Sequence, residues 1–274
     1  MLVTLNEILK DAEEKKYGAG LFNMLNLEMA RGIIEAAEEE HSPLILGVAE
    51  VHLPIIPFDY AAVIMRHIAE KSSVPVCLHF DHGCSYDKIM QAIRAGFSSV
   101  MYDGSSLEYE ENIKNTKEIS RVAHALGVSV EAELGHVGGA DDDLSIYTEV
   151  DKVNDFIHRA DIDALAVAIG TVHGQYKSEP KLDIGRLAEI YKIAEKPLVL
   201  HGGSGLSDDN FRDTIKNGIR KVNICTDMCL AAYDAYGKSN RDGIGFENTV
   251  IAAKDAVKEV VKNKMRLFGS SNRA

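Results

Sequence analysis

Along this chain short apolar runs alternate with longer stretches whose apolar residues recur every three or four positions. That is the pattern of buried strands followed by amphipathic helices. The first helix is predicted over 4–16, where Thr4 and Glu7 stand at capping-box spacing and Leu5, Ile8 and Leu9 form a sparse stripe. Strands follow at 17–23, 43–48, 74–80, 98–102, 128–133, 163–170, 197–200 and 221–225. Between them helices fall at 27–40, opened by Asn26, and at 59–71, 85–95, 108–126, 149–159, 184–194 and 207–217. From 226 to about 267 the pattern is helical again, apart from a Gly-rich interruption over 237–245.

Eight strands alternating with helices, with no linker, repeat or low-complexity segment, predict one α/β domain over 1–274. The expected architecture is a (β/α)8 TIM barrel with an extra N-terminal helix and C-terminal helices. A doubly wound open sheet is the alternative, but it gathers its ligand at one switch point. Here polar residues close strand after strand: Asn23, Asp81-His82, Asp103, Glu133, His173, His201 and Asn223. In a barrel all of these ends share one face.

The densest of them is Leu78-His79-Phe80-Asp81-His82-Gly83, where an apolar run stops abruptly in titratable groups. His82, His173 and His201 come from strands three, six and seven. Three neutral imidazoles with one open position are the donor set of a catalytic Zn²⁺. The plainer alternative is three unrelated loop residues, with Asp81 and His82 capping the next helix. His79 faces the same side as Asp81 and is expected to be a satisfied barrel-interior histidine. His52 and His136 lie near strand ends, whereas His41, His67, His124 and His158 fall at default surface positions. Glycines at 202, 203 and 205, after strand seven, and the segment 221–226 at strand eight stand where barrels hold a phosphate against backbone N–H groups.

Composition narrows the partners. The formal charge of -12, from 30 Lys and Arg against 42 Asp and Glu, argues against nonspecific binding to nucleic acid or an anionic membrane. Cysteines at 77, 84, 225 and 229 match neither a disulfide framework nor a zinc knuckle, so core or near-site thiols in a reducing compartment are expected. With no leader-like segment and no apolar run of about 18 residues, the expected location is the cytoplasm.

Phe22-Asn23, Phe80-Asp81-His82-Gly83, the segment 130–135, the segment 165–174, the segment 198–205 and the segment 221–226 together carry a family likeness. The chain resembles the class II, metal-dependent ketose-phosphate aldolases, including the fructose-bisphosphate and tagatose-bisphosphate enzymes, from about Tyr17 to the C-terminal end. The resemblance implies that His82, His173 and His201 hold a catalytic Zn²⁺ and that Asp81 is the acid/base at the aldehyde oxygen. It places Asp103 and Glu133 near an alternative or buried metal site. Asn23, Gly174, Gly202, Gly203, Ser204, Asn223 and Thr226 match the substrate and phosphate pocket, with Lys177 at its edge. Gly174 and Gly202-Gly203 are also expected to help hold a monovalent cation, Na⁺ or K⁺.

Two regions depart from the familiar members. Where fructose-bisphosphate aldolases of this type carry a loop glutamate that handles the dihydroxyacetone phosphate proton, this chain has Asp141, one methylene shorter. At the distal end Ala49 replaces a serine beside Glu50, and an Asp-Pro-Arg segment is absent, with Gly243-Ile-Gly-Phe246 near its place, while Lys254 is expected to match a basic residue used by some members. Loss of a hydroxyl and an arginine weakens recognition of a second phosphate, so the aldehyde is expected to be glyceraldehyde 3-phosphate or an unphosphorylated or acidic sugar fragment.

The resemblance implies reversible cleavage of a ketose 1-phosphate or 1,6-bisphosphate to dihydroxyacetone phosphate and an aldehyde. It also implies a homodimer or homotetramer. A metal-dependent sugar-phosphate epimerase or isomerase and a non-catalytic sugar-phosphate-binding barrel are the alternatives.

Overall fold

Buried apolar runs become the staves of a closed barrel. The computed structural model describes residues 1–139, 145–243 and 245–274. Its parallel strands are β2 (Ala19–Asn23), β3 (Leu44–Ala49), β4 (Val76–Gly83), β5 (Ser99–Tyr102), β6 (Ser129–Leu134), β7 (Ala164–Val167), β8 (Leu198–Leu200) and β9 (Ile219–Ile224). They pair in chain order, and the ring closes where Ala19 to Phe22 of β2 register with Lys221 to Ile224 of β9. A short β1 (Leu2–Val3), which the sequence pattern does not reveal, pairs with Val76 and Cys77 at the lower end of β4.

Side chains alternate between two environments along each strand. Leu21, Ile45, Cys77, Ala164, Ala166 and Val199 pack inside the barrel, whereas Phe22, Leu46, Leu78, Leu165 and Leu200 pack outward beneath the helices. Helix α1 (Leu5–Lys15) plugs the bottom through Leu5, Ile8, Leu9 and Ala12. Its start is secured by the predicted capping box, in which the Thr4 N–H donates to Glu7 Oε2 at 2.7 Å and the Glu7 N–H to Thr4 Oγ1 at 3.3 Å.

Going up the barrel, the inward positions change from apolar to polar. Cys77 gives way to His79 and Asp81, Leu21 to Asn23, and Val199 to His201, and Glu131, Glu133, Lys221 and Asn223 are buried polar residues of β6 and β9. The bottom is a hydrophobic plug and the top a polar well.

Several boundaries differ from expectation. The strand predicted over 163–170 ends at Val167, because the chain turns through Gly170 at φ 107°. The helix predicted over 149–159 begins as a 3-10 turn, Val150–Lys152, and continues as Val153–Ala160. The expected interruption over 237–245 is shorter: α9 (Thr226–Arg241) runs through Gly237, which a helix tolerates at modest cost. The last helix, α10 (Phe246–Phe268), packs on α9 and on α2 (Leu27–Glu39), with Lys258 and Lys262 paired to Glu39 at 3.0 and 2.7 Å. Among the described residues no helix is long and apolar enough to cross a membrane.

Candidate active site

The polar well begins with Asp81 at the top of β4. Asn23 Nδ2 donates to its Oδ2 at 2.8 Å and Asn223 Nδ2 to its Oδ1 at 3.0 Å, so side chains from β2 and β9 clamp it from both sides. Gly47 makes that clamp possible: a Cβ there would stand 2.4 Å from Asn23 Oδ1. Burial opposes charge on Asp81, but His82, His201 and Lys221 outweigh it and hold the carboxyl well below the usual carboxylate range.

Strict alternation would turn His82 away from the well that Asp81 faces. Instead His82 adopts a left-handed φ of 49°, and the β4–β5 register shifts between Phe80 and Gly83. The irregularity turns its ring over the mouth, a locally strained arrangement of the kind that concentrates at functional sites.

His82, His173 and His201 converge there. Their ring centroids stand 4.8 Å (82 to 173), 4.5 Å (82 to 201) and 5.9 Å (173 to 201) apart. Each ring also has one nitrogen tied to an acceptor. His82 Nδ1 donates to Asp103 Oδ2 at 2.8 Å, His173 Nδ1 to the Val137 carbonyl at 3.2 Å, and His201 Nε2 to Glu131 Oε1 at 2.9 Å.

Fixing one nitrogen as donor leaves the other with a lone pair. His82 Nε2 and His201 Nδ1 then face one another at 2.8 Å, and His173 Nε2 is buried with no partner. Facing lone pairs require a shared cation, a proton or a metal ion. The three side chains offer ligand atoms within 4.8 Å of one another, so the residues present fit a metal, with the carboxylate-to-histidine support that metal sites use.

Electrostatics divide the three rings. Burial disfavours a charged His82, but Asp81 and Asp103 prevail and push its pKa up to about 9. Burial and the His82 charge push His173 down to about 3, and the same two causes lower His201. A second convergence joins His82 to Asp103 and Glu133 within the same 4.8 Å limit. Burial, reinforced by the Asp103 charge, raises the Glu133 carboxyl to about 8.

The cavity above these groups has a volume of about 340 Å³. Of the residues singled out from sequence, Asn23, Ala49, Asp81, His82, Asp103, His173, Gly174, Gly202, Gly203, Ser204, Asn223 and Thr226 line it. His201 and Glu133 are buried beneath rather than at the surface of the wall. The glycine-rich end of the cavity is knitted together by Ser204, whose Oγ accepts the N–H of Cys225 at 3.3 Å and of Asp227 at 3.2 Å, joining the β8 loop to the start of α9.

Other predicted residues lie elsewhere. Glu50 accepts the Cys84 N–H at 2.8 Å and is not among the lining residues. Lys177 is exposed beyond β7, and Lys254 pairs with Glu35 of α2 and with Asp255. Asp141 lies outside the described residues.

Sequence reasoning missed the frame beneath the site. Glu131 and Lys221 form a fully buried ion pair at 2.9 Å, and Lys221 Nζ also donates to Asn223 Oδ1 at 2.7 Å. Their signal was a second charged residue two positions before the polar end of each strand, Glu131 before Glu133 and Lys221 before Asn223. Val51, His52, Val137 and Cys225 also line the cavity. His79 is buried as expected, with Nδ1 on Ser99 Oγ at 2.8 Å, but its Nε2 has no hydrogen-bond partner and stands 3.8 Å from Asp81 Oδ1. His136 reaches the site indirectly, through Ser105 Oγ at 2.8 Å and from there to Asp103 Oδ1 at 2.6 Å.

Comparison with known proteins decides which family built this well: a family model described as fructose-bisphosphate aldolase class-II matches residues 3–273. The chain belongs to that family. Class II aldolases are in general zinc-dependent, in agreement with the convergent histidines. The fructose-bisphosphate aldolase of Staphylococcus aureus strain Mu50 is 41% identical over 287 residues, covering 100% of this chain and 99% of that protein. The crystal structure of the YdjI aldolase from Escherichia coli K12 superposes with a TM-score of 0.93 at 39% identity, covering all of both chains. The Campylobacter jejuni fructose-bisphosphate aldolase, at 23% identity, 100% and 97% coverage and a TM-score of 0.86, shares the fold. These matches favour neither the epimerase or isomerase alternative nor the non-catalytic barrel.

Proposed function

We propose that this chain reversibly cleaves a ketose 1-phosphate or 1,6-bisphosphate into dihydroxyacetone phosphate and an aldehyde, with Zn²⁺ held by His82, His173 and His201. The observation that carries this is the orientation of the three rings, each with one nitrogen anchored and the other turned into the well beside Asp81. A metal so held supplies Lewis-acid polarisation of the substrate's ketone oxygen, which eases departure of the C3 carbon as a carbanion equivalent.

The chain's own residues do the rest. Asp81, kept ionised by its neighbours, takes the proton of the C4 hydroxyl as the C3–C4 bond breaks and returns it to the aldehyde oxygen in condensation. Asn23 and Asn223 hold that carboxylate in one orientation, so little reorganisation accompanies proton transfer. Gly174, Gly202, Gly203, Ser204, Asn223 and Thr226 receive the first phosphate, helped by the N-terminus of α9 and by a Na⁺ or K⁺ ion near the glycines. Glycine at 202 suits this role, since its φ is 67° and a Cβ would meet the Val172 carbonyl oxygen at 2.5 Å. Asp103 and Glu133 provide a second position for the metal, and Asp141 serves the proton on the dihydroxyacetone phosphate side.

At the distal end the lining residues include Ala49 and Val51, and no Lys or Arg lines the described cavity. Glu50 and Lys254 would serve the distal substrate from outside the cavity wall, Glu50 beside the Cys84 N–H and Lys254 beside Glu35. The protein acts as one domain over 1–274 in the cytoplasm. Exposed Tyr233, Phe246 and Ile251 on α9 and α10 support a homodimer or homotetramer.

The test is retro-aldol cleavage by zinc-loaded protein, following triose phosphate release from fructose and tagatose 1,6-bisphosphates and their 1-phosphates. EDTA-sensitive release is expected. Preference for bisphosphates would establish a second phosphate site despite Ala49, and preference for 1-phosphates a different acceptor. Failure with all four, and in condensations of dihydroxyacetone phosphate with other aldehydes, would overturn the aldolase proposal.

A further inference from the structure

Cys225 is the N-cap of α9 and lines the substrate cavity, while Cys229 lies one helical turn further on and outside the lining. Their sulfurs are 4.0 Å apart, and Cys225 Sγ is also 3.9 Å from His52 Nε2, across the cavity wall. Both thiols are half-buried, unlike Cys77, which is fully enclosed, and Cys84, which is exposed. Cys225 is also tied to the glycine-rich end of the cavity, because its N–H donates to Ser204 Oγ at 3.3 Å. Two thiols in contact, one of them in the wall of the site, form a pair that the aldol chemistry does not use.

We infer that Cys225 and Cys229 form a reversible disulfide on exposure to a hydroperoxide, and that this bond loosens the substrate cavity at its phosphate end. With the Cys225 thiol as donor, the contact between the two sulfurs favours the thiolate of Cys229 against the effect of burial and holds that thiol below its usual range.

The Cys229 thiolate attacks one peroxide oxygen. The O–O bond breaks, the sulfur is oxidised to a sulfenic acid, and the alkoxide or hydroxide leaves with a proton from solvent. Cys225 sulfur then attacks Cys229 sulfur; the S–S bond forms, the S–O bond breaks, and hydroxide departs with the Cys225 proton as water. Two thiols lose two electrons, and the hydroperoxide gains them.

The bond must contract the helix start. Cβ atoms one helical turn apart stand about 5–6 Å from one another, whereas a disulfide holds them at about 3.5–4.5 Å. Drawing Cys225 toward Cys229 takes its sulfur from His52 and its N–H from Ser204. A cross-link made against the local geometry is readily reduced, which makes it reversible.

The experiment treats the zinc-loaded enzyme with hydrogen peroxide and maps its thiols by mass spectrometry, with and without later dithiothreitol. The expected result is a Cys225–Cys229 cross-link, 2 Da lighter than the dithiol by loss of two hydrogens. KM for the phosphorylated ketose should rise about 3- to 10-fold, corresponding to loss of one hydrogen bond, at unchanged zinc content and with full reversal by thiol. Cys229→Ser should match the untreated wild type in activity and lose the dithiothreitol-reversible rise.

Reduced thiols at 225 and 229 after treatment would overturn the inference, as would a cross-link with unchanged KM. So would a rise in KM that follows zinc loss, or the same reversible rise in Cys229→Ser. Thiol mapping needs no substrate, so its failure is distinct from failure of the aldolase assignment.

Discussion

The division of labour in the well is set by what each side chain touches. Asp81 is held by two amides and surrounded by cations, which fixes its carboxylate in the ionised form; His201 is held by Glu131, which Lys221 neutralises. Lys221→Met removes the cation from a fully buried carboxylate, and a stability loss of about 3–5 kcal/mol is expected in urea unfolding. A loss below about 1 kcal/mol would show that Glu131 does not depend on this partner. His82 gives a pH prediction. Asp81 and Asp103 push its pKa up to about 9, so at lower pH zinc must displace a proton, and affinity should rise with pH by up to about tenfold per unit from 6 toward 9. Chelator competition measures this, and pH-independent affinity across that range would contradict a protonated His82 in the metal-free site.

At the scale of elements, β2, β4 and the end of β8 do two jobs because the inward column changes from apolar (Leu21, Cys77, Val199) to polar (Asn23, Asp81, His201) along its length. Leu9 of α1 completes the apolar half, and Leu9→Ala should cost about 2–5 kcal/mol in unfolding while leaving KM unchanged. Unchanged stability would mean that the barrel bottom closes without the helix. Gly47→Ala should lower kcat and cost about 1–3 kcal/mol in unfolding, because its Cβ crowds Leu21 and displaces Asn23 from Asp81; normal turnover would show that the amide clamp is dispensable. This two-part column also explains what sequence could reveal. Strand ends carrying Asp81, His82, His173 and His201 were legible because polar residues interrupt apolar runs there. Glu131 and Lys221 were not, since a charge within a buried strand has meaning only once its partner 90 residues away is known. The two-residue β1 was too short for any periodicity, and the turn of His82 into the mouth depends on a register shift that pairing alone creates.

The whole molecule follows from closure of the sheet. Closing β9 onto β2 brings Asn223 to Asp81 across 142 residues and His201 to His82 across 119, so no single segment contains the site. The motifs and the family match converge because those distant strand tops must retain complementary chemistry to make one well. The net charge of -12 leaves the anionic substrate dependent on this local arrangement rather than on the field of the whole protein. The most direct test of the account is a paired measurement of bound zinc and retro-aldol turnover in wild type, Asp81→Asn and His82→Ala. Asp81→Asn should retain zinc and lose at least about 100-fold in turnover, as expected for removal of a general base, whereas His82→Ala should lose both. Equal zinc loss in the two variants, or near-normal turnover in Asp81→Asn, would contradict the separation of metal holding from proton transfer.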